Sequence, residues 1–285
     1  MIFDRLRRTA SRGRGGWRIT VLDHEREDGW PAARAASDVL ARAGGDRITV
    51  HDGALVRLDA DGKLRWAHAC STSPTEAYVS GDRLLVLTDS RDYGAWGLLG
   101  PALLLDLDDG TAIAELRGDS CAPAGGGRFL LGLEGYDVFD TWLHDRDGTV
   151  LTTWRSYGHY VVSSDGGIRV VECDRTRPTR SHVARLLPGG EVERGPRLAD
   201  GQAPRPVVLD DETIIVLDGG VLRGVDRELN GTVLAELMPI SPDQAWRFSG
   251  KLRLEGRRLT VTLTERSAEP PLVYTTDRWS LKLTR

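Results

Sequence analysis

The stretch that decides the fold is Asp46–His68, DRITVHDGALVRLDADGKLRWAH. Apolar and polar residues alternate through it, as they do in strands that bury one face. Gly53 and the pair Asp61-Gly62 interrupt the alternation, and glycine supplies the positive φ that a tight hairpin needs. The stretch therefore predicts a strand, a short turn, a second strand, an Asp-Gly turn and a third strand.

The same order of strands and turns recurs along the chain. Matching turn pairs, 38 to 48 residues apart, fall at Asp61-Gly62, Asp109-Gly110, Asp147-Gly148, Gly189-Gly190, Asn230-Gly231 and Asp277-Arg278. Each copy also begins with one further short strand, which makes four strands per unit. A period of about 40–45 residues with four strands per unit is typical of the blades of a β-propeller.

One unit carries a family resemblance. Asp38–Trp66, DVLARAGGDRITVHDGALVRLDADGKLRW, resembles the repeat of the PQQ-like, WD40-type β-propeller superfamily, because its last strand ends in tryptophan. The copy that ends at Trp154 is similar, and the others replace that tryptophan. The resemblance covers about residues 36–285 and implies a fold but no activity. Nothing matches the cofactor-binding residues of the quinone-dependent dehydrogenases, so we predict no cofactor.

The repeats predict one all-β propeller domain over residues 17–285, preceded by a flexible Arg/Gly-rich tail at 1–16. Strand Trp17–Asp23 would pair with the last blade and close the ring. Six units favour six blades, and a seventh, which would need three more strands from residues 1–35, stays open. The predicted blades are approximately 36–69, 74–117, 122–155, 158–195, 204–237 and 243–285.

The composition indicates a soluble globular protein. There are 38 basic and 42 acidic residues, for a net charge of −4, and 40% of the residues are hydrophobic. This balance argues against a nucleic-acid partner, and no apolar run approaches the roughly 18–20 residues that span a bilayer. The first eight residues precede no apolar segment, so we predict no secretory signal and a cytoplasmic location. The preference for arginine over lysine suggests a GC-rich bacterial genome.

The connections between the second and third strands of the units differ greatly in length. Two have only two or three residues, whereas three adjacent units have long ones, at 88–100, 134–142 and 172–182. Loops on a rigid scaffold often carry binding residues, and Trp, Tyr and Arg are frequent anchors. We therefore predict a binding module that recognises a protein or small-molecule partner through Arg91, Tyr93, Trp96, Tyr136, Trp142, Arg175 and Arg180. The alternative for the large aromatic residues is that they fold back over the blade edges.

An enzyme is the alternative function. None of the common local catalytic motifs is present. Site residues from several blades could still meet at the channel mouth, as in a hydrolase, lyase or isomerase. Asp89 or Asp140 would then be the base, and His159 or His182 its partner.

The sequence also predicts no metal site. Three cysteines, Cys70, Cys121 and Cys173, are an odd number and lack the close spacing of zinc ligands. The Asp-x-Asp-Gly segments lack the further regular ligands of a calcium loop, and Asp and Gly favour hairpin turns. We therefore interpret the three cysteines as free thiols and the Asp-x-Asp-Gly segments as structural turns.

Overall fold

A computed structural model of the chain describes residues 16–29, 39–94, 97–135, 139–173, 181–199, 203–238, 240–241 and 244–285. Its regular structure is almost entirely β, with a single 3-10 turn at Ala245–Arg247 among these residues. The strands are β1 Arg18–Asp28, β2 Val39–Ala43, β3 Asp46–His51, β4 Ala54–Leu58, β5 Leu64–Ala69, β6 Ser73–Ser80, β7 Arg83–Gly94, β8 Gly97–Leu99, β9 Ala102–Asp106, β10 Ala112–Leu116, β11 Ser120–Gly125, β12 Arg128–Glu134, β13 Phe139–His144, β14 Val150–Trp154, β15 Gly158–Val162, β16 Ile168–Glu172, β17 His182–Leu186, β18 Val192–Arg197, β19 Val207–Val208, β20 Ile214–Asp218, β21 Val221–Val225, β22 Gly231–Glu236, β23 Phe248–Glu255, β24 Arg258–Arg266 and β25 Tyr274–Thr284.

Within the described residues the strands form six sheets. Four follow the chain directly, in the orders β2-β3-β4-β5, β11-β12-β13-β14, β15-β16-β17-β18 and β19-β20-β21-β22. A fifth has the order β6-β7-β9-β10, with β8 added beside β7. The prediction of an all-β propeller built from four-stranded blades is confirmed.

The sixth sheet takes one strand from the beginning of the chain. Its order is β1-β25-β24-β23, and β1 pairs with β25 from Arg18 opposite Thr284 to Asp28 opposite Thr275. β1 thus runs five residues beyond the predicted strand end. The turn predicted at Asp277-Arg278 is wrong, because β25 passes straight through both residues. Neither is a glycine, and the Asp277 side chain is buried in the sheet.

The chain consists of two compact units. The first contains Met1–Ala32, Arg169–Arg185 and Glu193–Arg285, and the second contains Ala33–Ile168 and Leu186–Val192. The first unit has a core built on β20–β25 that includes Ile215, Leu259 and Trp279. The residues of the sheet β15–β18 are divided between the two units.

In the second unit, adjacent sheets pack face to face through alternating side chains. Leu84 and Val86 of β7 share a buried cluster with Ile48 and other residues of the sheet β2–β5. Leu85, which points to the opposite face, shares a second cluster with residues of β11 and β12. Successive side chains of a strand point to opposite faces, so a strand buried on both faces needs a continuous apolar run. This requirement explains the run Leu84–Leu87.

The tryptophans that end the repeats connect neighbouring sheets in the second unit. Trp66 donates a hydrogen bond from Nε1 to the carbonyl oxygen of Leu107 at 2.8 Å. Trp154 donates in the same way to the carbonyl oxygen of Leu187 at 2.7 Å. Each acceptor lies just after the third strand of the next sheet. Both indoles are buried, so these residues contribute core packing as well as a polar contact.

The turn predicted at Asn230-Gly231 is displaced by two residues. The left-handed position belongs to Leu229, with a φ of 63°, and the amide of Leu229 bonds to the carbonyl oxygen of Asp226. Gly231 instead opens β22, where a Cβ would lie 2.7 Å from Cγ of Pro196. The glycine is therefore explained by close packing and not by the turn.

Candidate functional site

The second-to-third-strand connections lie at one end of the sheets, which we call the loop-bearing end. In the second unit this end includes the described residues 88–94, 97–100, 134–135 and 139. The stretch 88–100 was predicted to be a loop, but most of its described residues form the two arms of a β-hairpin. β7 runs past its neighbour β6 as far as Gly94, and the chain returns through β8, with Gly94 opposite Gly97.

This β7–β8 hairpin carries two of the predicted residues in the open. The Tyr93 side chain is 85% exposed. Asp89 is also exposed and lies where β7 pairs with both β6 and β8. The side chain of Arg91 and the whole of Trp96 lie outside the described part of the structure.

A buried threonine anchors the base of the hairpin. The Oγ1 atom of Thr88 donates to the carbonyl oxygen of Pro101 at 2.7 Å and accepts from Oγ1 of Thr72 at 2.8 Å. The carbonyl oxygen of Thr88 accepts from the amide of Gly100 at 2.9 Å. These contacts join both arms of the hairpin to the sheet, so Tyr93 projects from an ordered base.

An acidic group lies at the loop-bearing end of the sheet β11–β14. Asp119 follows β10, Glu134 ends β12, and Tyr157 lies between β14 and β15. The pKa of Asp119 is raised to about 6, mainly because the carboxyl group is partly removed from water. Hydrogen bonds from Tyr157 and from the Glu134 backbone oppose the shift, and the Glu134 charge adds to it. Three separate connections thus bring Asp119, Glu134 and Tyr157 together, and the Asp119 carboxyl group titrates near neutral pH.

A buried hydroxyl network supports this group from below. Thr141 is fully buried and donates from Oγ1 to the carbonyl oxygen of Ser156, so the Tyr160 hydroxyl, 2.7 Å away, donates to Thr141. Burial raises the pKa of the Tyr160 phenol above its ordinary value, so this donor stays neutral. The hydroxyl fits because residue 132 is glycine, where a Cβ would lie 1.9 Å from it.

The other predicted residues of the second unit lie close to this network. Asp140 is the second residue of β13, with Oδ1 3.5 Å from Nε of Arg155. Trp142 was predicted in a loop, but it lies within β13 opposite Leu131 and is only half-buried, because β13 already begins at Phe139. His159 lies on β15. Tyr136 is outside the described residues.

In the first unit, His182 belongs to an ion-pair group. Its Nδ1 lies 3.3 Å from Oε2 of Glu172, whose Oε1 is 3.0 Å from Nη2 of Arg194. Glu172 is buried, and the guanidinium of Arg194 provides the opposite charge that a buried carboxylate needs. Arg175 and Arg180 lie outside the described residues.

The first unit also exposes an aromatic residue that the sequence analysis missed. Trp246, in the 3-10 turn before β23, is 51% exposed, and the guanidinium carbon of Arg266 lies 5.1 Å from its ring centroid. Leu272 and Val273, in the connection between β24 and β25, are exposed to a similar degree. Trp246 occupies no repeat position, so its only signal was a tryptophan outside any strand pattern.

The described residues include no group of three or more His, Cys, Asp and Glu side chains placed to hold a metal ion. All three cysteines are free thiols. Cys70 lies between β5 and β6, and Cys121 lies on β11. No helix among the described residues is both long and apolar enough to cross a membrane.

Comparisons with known proteins bear on the fold. No protein-family model matches the chain, and no curated protein matches it. Hsv2 from Kluyveromyces lactis is similar in structure, with a TM-score of 0.51 and 9% identity over 85% of this chain and 82% of that chain. The complex of KlAtg21 with the coiled-coil of AgAtg16 gives 0.50 and 8%, over 81% of each chain. BamB from Moraxella catarrhalis gives 0.47 and 15%, over 92% and 97%.

At identities of 8% and 9%, the structural similarity to KlAtg21 and Hsv2 shows the fold and nothing further. The neighbours are β-propeller proteins, and this chain has the same fold. Its resemblance to the PQQ-like and WD40-type repeats is thereby supported at the level of the fold.

Proposed function

We propose that the protein is a binding module that recognises a protein partner at the loop-bearing end of its second unit. The observation that carries the proposal is the β7–β8 hairpin, which extends beyond its sheet and presents Tyr93 at 85% exposure. The blade does not require this extension, since β3 and β4 are joined by only two residues.

The energetics of the hairpin favour a binding role. Tyrosine offers a large amphipathic contact area for the loss of only two side-chain torsions. The Thr88 contacts already order the base of the hairpin, so binding would cost little further backbone entropy. Among the structural neighbours, the KlAtg21 structure is a complex with a coiled-coil. The same fold therefore serves in another protein as a scaffold for protein binding.

The test compares Tyr93→Ala with Leu64→Ala. Leu64 is also more than half exposed, but it begins β5 at the opposite end of its sheet. Neither change should alter unfolding by more than about 0.5 kcal/mol. In quantitative affinity capture, we expect a defined partner protein to bind the Tyr93→Ala variant roughly thirtyfold more weakly than the unchanged protein, as when an interface anchor is truncated. The Leu64→Ala variant should bind the same partner with unchanged affinity.

Two results would contradict the proposal. One is an unchanged set of captured proteins for Tyr93→Ala, and the other is equal loss in both variants. Two predicted anchors outside the hairpin, Arg175 and Arg180, provide a second alanine set for the same assay. Capture lost in this set while Tyr93→Ala binds normally would move the binding surface away from the hairpin.

A second candidate function is acid–base catalysis at Asp119, and one observation favours it. A carboxyl group with a pKa of about 6 is suited to proton transfer near neutral pH. Tyr157 and Glu134 lie beside it, as a hydrolase, lyase or isomerase site would need. Any activity found in a substrate screen should depend on a group of this pKa and be lost in Asp119→Asn. It should persist in Asp89→Asn, which changes an exposed carboxylate on the hairpin.

A further inference from the structure

A separate cavity lies in the first unit, at the end of the sheets opposite the second-to-third-strand connections. It is a partly open cavity lined by Trp17, by residues of the turn between β19 and β20, by Leu254 and the turn between β23 and β24, and by the end of β25. Its volume is about 300 Å³. This is the lower end of the range for ligand pockets, which suits one ring or a short alkyl chain and excludes a dinucleotide.

The floor of the cavity is apolar. Trp17, Leu209 and Leu283 are buried there, and Leu254 adds a half-buried wall. The only polar atom of the indole is already used, because Nε1 donates to Oδ2 of Asp211 at 2.7 Å. An occupant would therefore meet this floor mainly through its own apolar surface.

Asp211 is fully engaged and unavailable to a ligand. It accepts hydrogen bonds from Trp17, from the amide of Thr213 at 3.1 Å and from Nη2 of Arg285 at 2.9 Å. Burial alone would raise the pKa of Asp211, but these hydrogen bonds and the charge of Arg285 lower it below its ordinary value. The two charges of this pair therefore balance each other.

Unlike Arg285, Arg257 has guanidinium N–H groups that are available to a ligand. Its guanidinium carbon lies 5.7 Å from the Trp17 ring centroid, which holds the group at the mouth of the cavity. The nearest carboxylate, Asp210, is 3.8 Å away, and both side chains are more than half exposed. Exposed pairs at that distance are weak. The Arg257 guanidinium makes no hydrogen bond to any residue that the structure describes.

We propose that this cavity binds a small carboxylic acid. Its apolar body packs on Trp17, Leu209 and Leu283, and its carboxylate accepts hydrogen bonds from Arg257, whose planar fork matches a carboxylate in two-point contact. A cationic ligand fits less well, because it would meet the Arg257 guanidinium at the mouth, whereas the one carboxylate that lines the cavity among the described residues, Asp210, is more than half exposed to solvent. The inference is independent of the proposed function, since it concerns another unit and the opposite end of the sheets.

The experiment uses three probes of one shape and different charge: phenylacetate, phenylacetamide and 2-phenylethylamine. Binding is followed in the full-length protein through the NMR resonance of the Trp17 indole N–H, assigned by its loss in Trp17→Phe. We expect phenylacetate to shift this resonance and to bind at least tenfold more tightly than the amide. The amine should bind most weakly.

Variants locate the site and the charge. Arg257→Ala should abolish the preference for the acid over the amide. Arg253→Ala is the matched control, because it removes the same charge from β23, where Arg253 pairs with Glu255 away from the cavity. Leu254→Phe should fill the cavity and weaken all probes at least tenfold while the urea midpoint stays within the range of the other variants.

Each of the following results would overturn the proposal. The first is the absence of a shift with any probe at millimolar concentration. The second is equal affinity for acid and amide, or tighter binding of the amine. The third is an acid preference that survives Arg257→Ala or disappears equally in Arg253→Ala.

Discussion

The contact between Trp66 and Gly110 allows a double-mutant test of how one sheet packs on the next. The Trp66 side chain is almost fully buried, and a Cβ at Gly110 would lie 2.7 Å from Cδ2 of its indole. Gly110 also has a φ of 75°, in the left-handed region that other residues avoid. Gly110→Ala therefore combines backbone strain with a steric clash against the ring.

Gly62 separates these two costs. Gly62 ends the equivalent turn of the sheet β2–β5, with a φ of 85°. A Cβ added there would contact only Nη2 of Arg47 among the described residues, at the end of a flexible side chain. Gly62→Ala should therefore cost about 1 kcal/mol of unfolding free energy, from strain alone. Gly110→Ala should cost about 2–4 kcal/mol, because overpacking adds to the strain.

Removal of the ring should abolish the clash. Trp66→Ala alone should cost about 3–5 kcal/mol, through lost packing and the loss of one of the two hydrogen bonds to the carbonyl oxygen of Leu107, which also accepts from Arg57. In that background Gly110→Ala should cost only about 1 kcal/mol, as at Gly62. The two changes should thus be less than additive by about 1–3 kcal/mol.

Urea unfolding of the four proteins, at a common slope, measures this coupling free energy. Additivity within about 0.5 kcal/mol would refute the packing argument. A cost for Gly62→Ala equal to that for Gly110→Ala would show that strain alone explains the glycine. A changed slope for Trp66→Ala would require kinetic unfolding measurements of the same four proteins.

Three further predictions concern titration, thiols and the outer strand. Asp119→Asn should stabilise the protein at pH 7.5 by about 1 kcal/mol, because the folded pKa of about 6 exceeds the unfolded value near 4, while solvent screening of this partly exposed carboxylate reduces the effect. The cost of the charge vanishes as the pH falls between the two pKa values. Parallel curves of urea stability against pH for the two proteins would contradict this. All three thiols should react at once in denaturant, whereas native Cys70, whose pKa burial raises, should react slowly and no zinc should copurify. His24→Ala should cost about 1–3 kcal/mol, since it leaves the buried Asp277 carboxylate without the Nε2 partner at 2.8 Å. Thermal melting against Arg278→Ala, an exposed change in the same pair of strands, checks this last prediction.

The four-stranded units could be predicted because local rules repeat in them. Alternation places side chains on two faces, and glycine marks the left-handed turn position at Gly62, Gly110, Gly148 and Gly190. The rule failed where another residue takes that conformation, as Leu229 does. It also failed at Asp277, where pairing with β1 on one side and β24 on the other keeps β25 extended.

The candidate site was predicted less completely, because its properties arise from contacts between distant segments. Tyr93 was identified from the length of its connection, but the hairpin that presents it depends on Thr72, Thr88 and Pro101. Asp119 gave no sequence signal. Its raised pKa comes from burial beside Glu134 and Tyr157, which three separate connections supply.

The two ends of the sheets in the second unit therefore carry different constraints. At the turn end, Trp66 and Trp154 bond to carbonyl groups that follow the third strand of the next sheet, so a longer turn there would displace a buried acceptor. At the loop-bearing end, the contacts of Thr88 stop at the base of the β7–β8 hairpin. The segment beyond that base can therefore vary in length and in sequence without disturbing the packed faces of the sheets. This separation explains why a large exposed side chain such as Tyr93 can be carried on the hairpin at little cost to stability.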